Sequence, residues 1–310
     1  MQSITERERE LLRLLLQDSR SSLGILAENL GKGRNWATRA IKRLVHSKVL
    51  QAYVTVFDPA QVYAERSTML LIKTNPRELD VSQGLLEMPE LESLDGISGN
   101  HSLLGLFRLR GAGGFEVFLD ELDRVVAKSG AEKYQLVQVL TTYKTHGFIL
   151  EKLKDRPPPV TSNDWELMKA IYRHAPSEER PFPLSQSEIG KKMKPSLSQP
   201  AVSKAMKRLE TRGAIAGYSV DIGFRHIGLP IKFFLQIKSK PGTIAQTAHE
   251  ISKMSAVWDL HRTSEDLSLF ATVRTKSVDD YNRFLRDLYE NVDIIDTQSQ
   301  ISLEEWFIPA

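Results

Sequence analysis

Two segments of the chain carry side chains of the kinds that contact nucleic acid. Residues 34–43 and 199–208 each combine an amide, a hydroxyl group and several cationic side chains. Amide and guanidinium groups hydrogen-bond to base edges, while hydroxyl, lysine and arginine side chains also contact phosphates. We therefore predict a DNA-contacting set in each segment: Arg34, Asn35, Thr38, Arg39, Lys42 and Arg43 in the first, and Gln199, Ser203, Lys204, Lys207 and Arg208 in the second.

Positive charge is concentrated on these two segments. Residues 32–48 contain six cationic and no acidic side chains, and residues 191–212 carry a local charge of +6, whereas the whole chain carries only +3. The remainder of the chain is therefore net negative. Clustering of charge on the same element twice is expected of a nucleic-acid surface. The alternative interpretation is a pair of solvated helix faces.

Apolar residues recur in both segments at the spacing of one helix face. They are Ala37, Ile41 and Leu44 in the first segment, and Val202, Met206 and Leu209 in the second. On a helix with 3.6 residues per turn they form a core stripe, with the polar residues opposite. Shorter apolar segments precede them, at residues 26–30 and 189–193. We therefore predict two helix-turn-helix pairs, whose second helix would enter the major groove of DNA.

The two segments belong to a longer internal repeat. The second follows the first by 165 residues, and Tyr53 and Tyr218 are related by the same offset. Upstream the offset falls to 156 residues, so the second copy should contain a longer loop, which we place around residues 175–184. Both segments end in Lys-Arg-Leu but begin differently. This difference predicts similar phosphate contacts and different base preferences.

Each half of the chain continues into elements in the order βαββαβ. The pattern predicts strands at 68–74, 91–98, 102–110 and 133–145 with helices at 78–88 and 113–128, and then strands at 231–238, 256–262, 267–274 and 293–306 with helices at 243–254 and 277–290. This order is that of a ferredoxin-like α/β sandwich. The predicted fold class is therefore α+β, with two tandem copies of a winged helix-turn-helix followed by a ferredoxin-like domain.

The domain boundaries follow from these patterns. Three consecutive prolines favour a stiff, extended linker between the halves. We place a first winged helix-turn-helix at 1–60, a first βαββαβ domain at 64–152, the Pro-rich linker at 153–161, a second winged helix-turn-helix at 162–226 and a second βαββαβ domain at 229–310. Alternating apolar residues predict that the two sheets pair face to face through Met69, Leu71, Phe233 and Leu235, within one chain or between two.

This order of elements resembles the Lrp/AsnC (feast/famine) transcription regulators, once in each half. The resemblance implies that the partner is double-stranded DNA and that the βαββαβ domains pair, as a homodimer or as a pseudo-dimer within the chain. It also implies a small-molecule effector, with Asn100, His101, His261 and Arg262 as candidate ligands. The turns at residues 98–102 and 262–266 lack the Gly-acid-Tyr-Asp type of sequence common in that family.

An enzyme is the alternative function. The chain is also similar in its order of elements to the siroheme decarboxylases of haem biosynthesis, which work as unlike pairs. That resemblance implies histidine or arginine near the carboxylates of a tetrapyrrole, with His101, His261 and Arg262 as the candidates. The dense positive charge of both helical segments favours the regulator, because a decarboxylase does not require it.

Several other classes of function are not supported by the sequence. The chain has no cysteine, which excludes disulfides and thiol chemistry. No nucleotide, protease or esterase motif is present, and the histidines lack metal-ligand spacing, so we predict no cofactor and no metal. No apolar run is long enough to span a membrane. We expect a cytoplasmic, nucleoid-associated, non-enzymatic protein without a signal peptide.

Overall fold

The computed structural model describes residues 4–62, 67–74, 80–109, 114–150, 160–291 and 293–308. Most of the predicted linker, 153–161, lies outside these residues. The chain divides into two compact units, and each unit contains parts of both halves. The head unit contains the described residues up to Val62 and from Val160 to Pro230, and the sheet unit contains those from Ser67 to Leu150 and from Ile231 onward.

The elements follow the predicted order in both halves. In the first half they are α1 (Glu6–Gln17), α2 (Leu23–Asn29), α3 (Arg34–His46), β1 (Leu50–Phe57), α4 (Pro59–Val62), β2 (Ser67–Lys73), α5 (Asp80–Leu86), β3 (Leu91–Ile97), β4 (Leu103–Arg108), α6 (Gly114–Ala127), β5 (Lys133–Thr145) and β6 (Phe148–Ile149). In the second half they are α7 (Ser162–Tyr172), β7 (Arg173–His174), α8 (Gln186–Lys192), α9 (Gln199–Thr211), β8 (Ile215–Ile222), a 3-10 turn (Phe224–Ile227), β9 (Ile231–Ser239), α10 (Ile244–Lys253), β10 (Val257–Thr263), β11 (Leu269–Thr275), α11 (Val278–Asn291) and β12 (Ile294–Trp306). The predicted strands and helices of the βαββαβ segments are confirmed within the described residues, whereas residues 78–79, 110 and 113 of those predictions lie outside them. The short elements α4, β6 and β7 were not predicted.

The head unit contains two three-helix heads that share one small sheet. We call α1–α3 with β1 the first head and α7–α9 with β8 the second head. Strands β1 and β8 pair antiparallel, with Val54 opposite Ser219, and β7 adds to the free edge of β1. Helix α1 packs against β8 and α7 packs against β1. Each head therefore depends on a strand from the other half of the chain.

Hydrogen bonds between the heads reinforce this exchange. The Ser219 hydroxyl donates to the Leu16 carbonyl at 2.9 Å, and the Thr55 hydroxyl donates to the Ile171 carbonyl at 2.6 Å. Both hydroxyl-bearing residues are buried, and a buried hydroxyl without a partner costs about 1–3 kcal/mol. These bonds therefore favour the pairing of the two heads.

The sheet unit is a closed barrel made from the sheets of both halves. The strand order is β10-β11-β9-β12-β3-β4-β2-β5, and β5 also pairs with β10. The first part of β5 pairs with β2 of its own half, whereas the last part pairs with β10 of the other half. Likewise, the first part of β12 pairs with β9 of its own half, and its last part pairs with β3 of the other half. Two long strands thus join the halves and remove open sheet edges.

Apolar residues fill both sides of the barrel wall. Inside, one cluster includes Met69, Leu71, Phe234 and Phe270. Outside, each sheet packs against the two helices of its own half. The predicted pairing faces are confirmed for Met69 and Leu71.

The predicted pairing face is wrong for Phe233 and Leu235. Both side chains belong to the outer cluster with residues of α10 and α11, and Phe234 between them points into the barrel. Alternation in β9 correctly groups Phe233 and Leu235 on one apolar face, but it does not show whether that face packs on helices or on the other sheet. The sheets nevertheless pair face to face as predicted, and they do so within one chain.

Candidate nucleic-acid interface

Helix α3 presents a polar and cationic face away from the core of the first head. Arg34, Asn35, Arg39 and Lys42 are exposed, and Thr38 is half-buried with its hydroxyl donating to the Arg34 carbonyl at 3.1 Å. On the other side of the helix Ala37, Ile41 and Leu44 are almost completely buried, as predicted. Within the described residues, Arg34, Arg39 and Lys42 have no acidic partner. Their charges are available to an external anion.

Helix α9 presents a similar face in the second head. Gln199, Lys204 and Lys207 are exposed, Ser203 is half-buried, and Val202, Met206 and Leu209 form the buried stripe. Neither Lys204 nor Lys207 forms an ion pair in the described part of the chain. Ser198 occupies the N-cap position, but its side chain makes no capping hydrogen bond. Both faces therefore combine amide, hydroxyl and cationic groups, as predicted.

Arg43 and Arg208 differ from the other cations because each is held by a buried carboxylate. The Arg43 guanidinium contacts Glu8 Oε1 at 2.6 Å, and Arg208 contacts Asp164 Oδ1. Glu8 and Asp164 are the third residues of α1 and α7, where each also accepts bonds from the N-cap threonine, in a capping box. Both arginines thus link the last turn of one helix to the first turn of another.

These contacts alter the titration of both acids. Burial alone would raise the pKa of Glu8, but hydrogen bonds from Thr5 and the charge of Arg43 outweigh it and hold that pKa below its usual range. Asp164 has a lowered pKa for the same reasons, with burial opposed by Thr161 and Arg208. Both carboxylates are therefore ionised at neutral pH. The sequence signal that could have revealed the pairs is the Thr-x-x-acid motif that begins both heads.

The longer loop predicted in the second half is present, and it binds the first head. Residues 173–185 separate α7 from α8, and their first two residues form β7 against β1. The Tyr53 hydroxyl donates to the Pro181 carbonyl at 2.8 Å, and His46 contacts Glu178 at 2.6 Å. A cavity of about 20 Å³ beside this loop has room for a single water molecule. The heads are therefore not related by strict symmetry.

The candidate effector residues lie at two separate places in the sheet unit. Asn100 and His101 follow β3 in a turn beside β12, because the Ser98 amide donates to the Ile301 carbonyl. His261 and Arg262 lie within β10 and pair with β5. The predicted turn at 262–266 is therefore wrong at its start: Arg262 and Thr263 continue β10, because β5 supplies ladder partners for both.

His261 is buried in the barrel. Burial lowers its pKa to about 4, and the charges of Arg108 and His146 act in the same direction against the opposing effect of Asp259. The imidazole is therefore neutral at pH 7, and Thr142 lies within 3.1 Å of its Nδ1 atom. The pKa of His101 is also lowered, by burial and by the charge of Lys133.

A buried ionic cluster inside the barrel was not predicted. The Lys232 amine lies 2.9 Å from both carboxylate oxygens of Asp95 and 2.9 Å from Glu305 Oε1, and Arg274 also contacts Glu305. Asp95 is fully buried and belongs to the first half, whereas Lys232 belongs to the second. The signal in the sequence was a charged residue within each of two strands, Lys232 in β9 and Asp95 in β3.

Two further features bear on function. Over the part of the chain that the structure describes, no group of three or more histidine, aspartate or glutamate side chains is placed to hold a metal ion. No helix in those residues is long and apolar enough to cross a membrane.

One segment of the sheet unit matches a known family model. Residues 232–308 match the family model of the Lrp/AsnC ligand binding domain. The HTH-type transcriptional regulator FL11 of Pyrococcus furiosus is 26% identical over 89 residues, which are 29% of this chain and 59% of that regulator. The regulator LrpA of Pyrococcus horikoshii is 27% identical over 105 residues, which are 34% of this chain and 70% of LrpA. The matched part of FL11 is thus less than two thirds of its length.

A solved structure resembles the chain over almost its whole length. The siroheme decarboxylase NirDL superposes with a TM-score of 0.63, covering 98% of this chain and 93% of NirDL at 13% sequence identity. At that identity the similarity establishes the fold alone. The same mixed α+β arrangement, with paired halves, is therefore found in a known protein.

Proposed function

We propose that this chain is a sequence-specific DNA-binding transcription regulator, because residues 232–308 match the model of the Lrp/AsnC ligand binding domain and the similar curated proteins are helix-turn-helix transcriptional regulators. Helices α3 and α9 are its two recognition helices. The working unit is the pseudo-dimer formed within one chain, since the strands β1 and β8 already join the two heads.

One observation carries this proposal. The head unit exposes two helix faces of matching chemistry. Each face carries arginine or lysine side chains that have no acidic partner among the described residues, and these lie beside an amide and a hydroxyl group. Solvated helix faces usually intersperse charges of both signs. A cationic face with base-reading groups is instead suited to phosphates and base edges.

The two heads differ in what they would read. Arg39 offers a planar fork that suits the O6 and N7 atoms of guanine, whereas Lys204 offers a mobile point charge. The start of α3 carries Arg34 and Asn35, and the start of α9 carries Gln199 and Pro200. A homodimer of single-unit regulators has identical recognition helices and a mirrored operator. We therefore propose that one chain binds two unlike half-sites.

Salt dependence of DNA binding tests the proposal without knowledge of the operator. The full chain is titrated with a random-sequence duplex of about 30 base pairs, which spans roughly three helical turns. Each phosphate neutralised contributes roughly 0.9 to the slope of log affinity against log salt concentration. Contacts from both heads predict a slope steeper than about −3. A slope near zero would contradict DNA binding.

A decarboxylase is the second candidate, favoured by the full-length similarity to NirDL. Under that hypothesis His101, His261 or Arg262 would lie beside the carboxylates of a tetrapyrrole. His261 is buried and neutral at pH 7, which makes it a weak partner for a carboxylate. Titration with siroheme separates the candidates. A shifted Soret band with saturable binding supports the enzyme, and an unchanged siroheme spectrum supports the regulator.

A further inference from the structure

The turns that precede the two recognition helices differ in length. Four residues, 30–33, separate α2 from α3, whereas six residues, 193–198, separate α8 from α9. In a helix-turn-helix this turn lies at the N-terminal end of the recognition helix, which is the end that faces DNA. We call residues 193–198 the long turn. Its length would place additional backbone and side chains at the DNA surface of the second head.

Gly190 allows the long turn to pack on α8. The Leu197 amide donates to the Gly190 carbonyl at 3.0 Å, and the Ser196 hydroxyl donates to the same oxygen at 3.1 Å. A Cβ atom on Gly190 would lie 2.1 Å from the Leu197 carbonyl oxygen, so no other residue fits there without moving the turn. The first head has Ala27 at the corresponding place. The long turn is thus held in place against α8 by hydrogen bonds and close packing.

The charges around the two turns also differ. Helix α8 ends in Lys191 and Lys192, and the long turn adds Lys194. All three lysines are exposed, and none has an acidic partner within the described residues. At the corresponding places in the first head are Glu28 and Asn29, followed by Lys32 in the turn. The long-turn region therefore carries three positive charges, whereas the corresponding region of the first head carries none on balance.

We propose that Lys191, Lys192 and Lys194 form a DNA-phosphate site that the first head lacks. This inference rests on the proposed function and deepens it. This site adds sequence-independent affinity to the second head at a place where the first head carries Glu28 and Asn29. The two heads then differ in where they hold the phosphate backbone as well as in sequence preference.

The test is a triple variant, Lys191→Gln/Lys192→Gln/Lys194→Gln, in the full chain. Each lysine that neutralises a phosphate contributes roughly 0.9 to the salt slope, which corresponds to roughly a fourfold loss of affinity per lysine at 200 mM salt. The random-sequence duplex is the probe, titrated across a range of salt concentrations. We expect the magnitude of the slope to fall by about 2 to 3. Exposed lysines tolerate this change, and circular dichroism checks the fold.

A matched control removes the same charge from the sheet unit. Lys128, Lys253 and Lys276 are exposed and have no ion pair among the residues described. The variant Lys128→Gln/Lys253→Gln/Lys276→Gln should leave the slope nearly unchanged. Equal effects of the two triple variants would overturn the inference, as would a wild-type slope in the long-turn variant. If the wild-type chain binds no duplex, the proposed function itself fails, and the two failures are thus distinguishable.

Discussion

The buried cluster in the barrel makes the most quantitative prediction. Lys232→Met removes the amine that neutralises Asp95, a fully buried carboxylate that also accepts a hydrogen bond from the Ser302 hydroxyl at 2.7 Å. Glu305 keeps Arg274 as a partner. Removing one member of a buried ion pair typically costs about 3–5 kcal/mol, because the other charge stays buried without compensation. We expect a loss of that size in the free energy of unfolding.

A double-mutant cycle separates the contribution of the ion pair to stability from the contribution of side-chain packing. Replacing both partners, as Lys232→Met/Asp95→Leu, leaves no uncompensated charge, and such replacements of buried pairs are often neutral or stabilising. We therefore expect the double variant to be more stable than Lys232→Met by at least about 2 kcal/mol. Urea denaturation, followed by tryptophan fluorescence and circular dichroism, measures all four proteins of the cycle.

Strand β9 offers a matched control. Lys238 lies on the same strand as Lys232 but pairs with Asp266 at the surface, where both side chains are exposed. Lys238→Met should cost less than about 1 kcal/mol. Because Asp95 and Lys232 come from different halves, a large coupling energy demonstrates that the two halves share one barrel. A Lys232→Met variant as stable as Lys238→Met, or a double variant no better than the single, would refute the reasoning.

Three further predictions concern single sites. Burial alone would raise the pKa of Glu305, but Lys232 and Arg274 outweigh it and lower that pKa to about 2. The stabilising contribution of Glu305 is therefore complete above its unfolded pKa of 4.5 and is lost as the pH falls towards 2. Urea denaturation between pH 7 and pH 2 should show a smaller acid-induced loss of stability in Glu305→Gln than in wild type, and equal losses would contradict this assignment. Glu8→Gln should destabilise the head unit by about 1–3 kcal/mol, because it breaks the contact with Arg43. The control Glu10→Gln removes an exposed ion pair and should cost less than about 1 kcal/mol in the same assay. Equal costs would count against a role for the buried carboxylate. Gly190→Ala should cost about 1–3 kcal/mol in thermal denaturation, because the added methyl group displaces the long turn. The control Gly33→Ala, whose added methyl group meets nothing within 4 Å, should cost less than about 1 kcal/mol. A Gly190→Ala variant as stable as wild type would show that this contact does not fix the turn.

The helices were predicted well because the signal for a helix, the spacing of its apolar residues, lies within one short segment of the sequence. The stripes of α3 and α9 required only the helical period, and each apolar position proved to be buried. The apolar face of β9, which carries Phe233 and Leu235, follows from alternation, but the layer that it packs against could not be predicted from the sequence. Its orientation is decided by the strands and helices that pack on either side.

Long-range relations were beyond the sequence patterns. The repeat suggested that the halves pair, but the exchange of β1 and β8 between the heads depends on contacts more than 150 residues apart. The contacts of Arg43 and Arg208 join residues that are 35 and 44 positions apart. Both arginines were predicted as DNA contacts, and that role stays a prediction, while their bonds to Glu8 and Asp164 became visible only once helices from distant segments were packed together.

Footprinting on a selected DNA site tests the central claim, that one chain reads two unlike half-sites, most directly. The site is first obtained by binding-site selection from random DNA with the wild-type chain. Arg39→Ala should then weaken protection and relax base preference at one half-site, at a cost of about 1–3 kcal/mol, and Lys204→Ala should act at the other. Arg124→Ala in the sheet unit, whose side chain is exposed, is the control. Separate losses at two different sequences are the predicted result. If both substitutions weaken the same base pairs equally, or if neither affects binding, the account is contradicted.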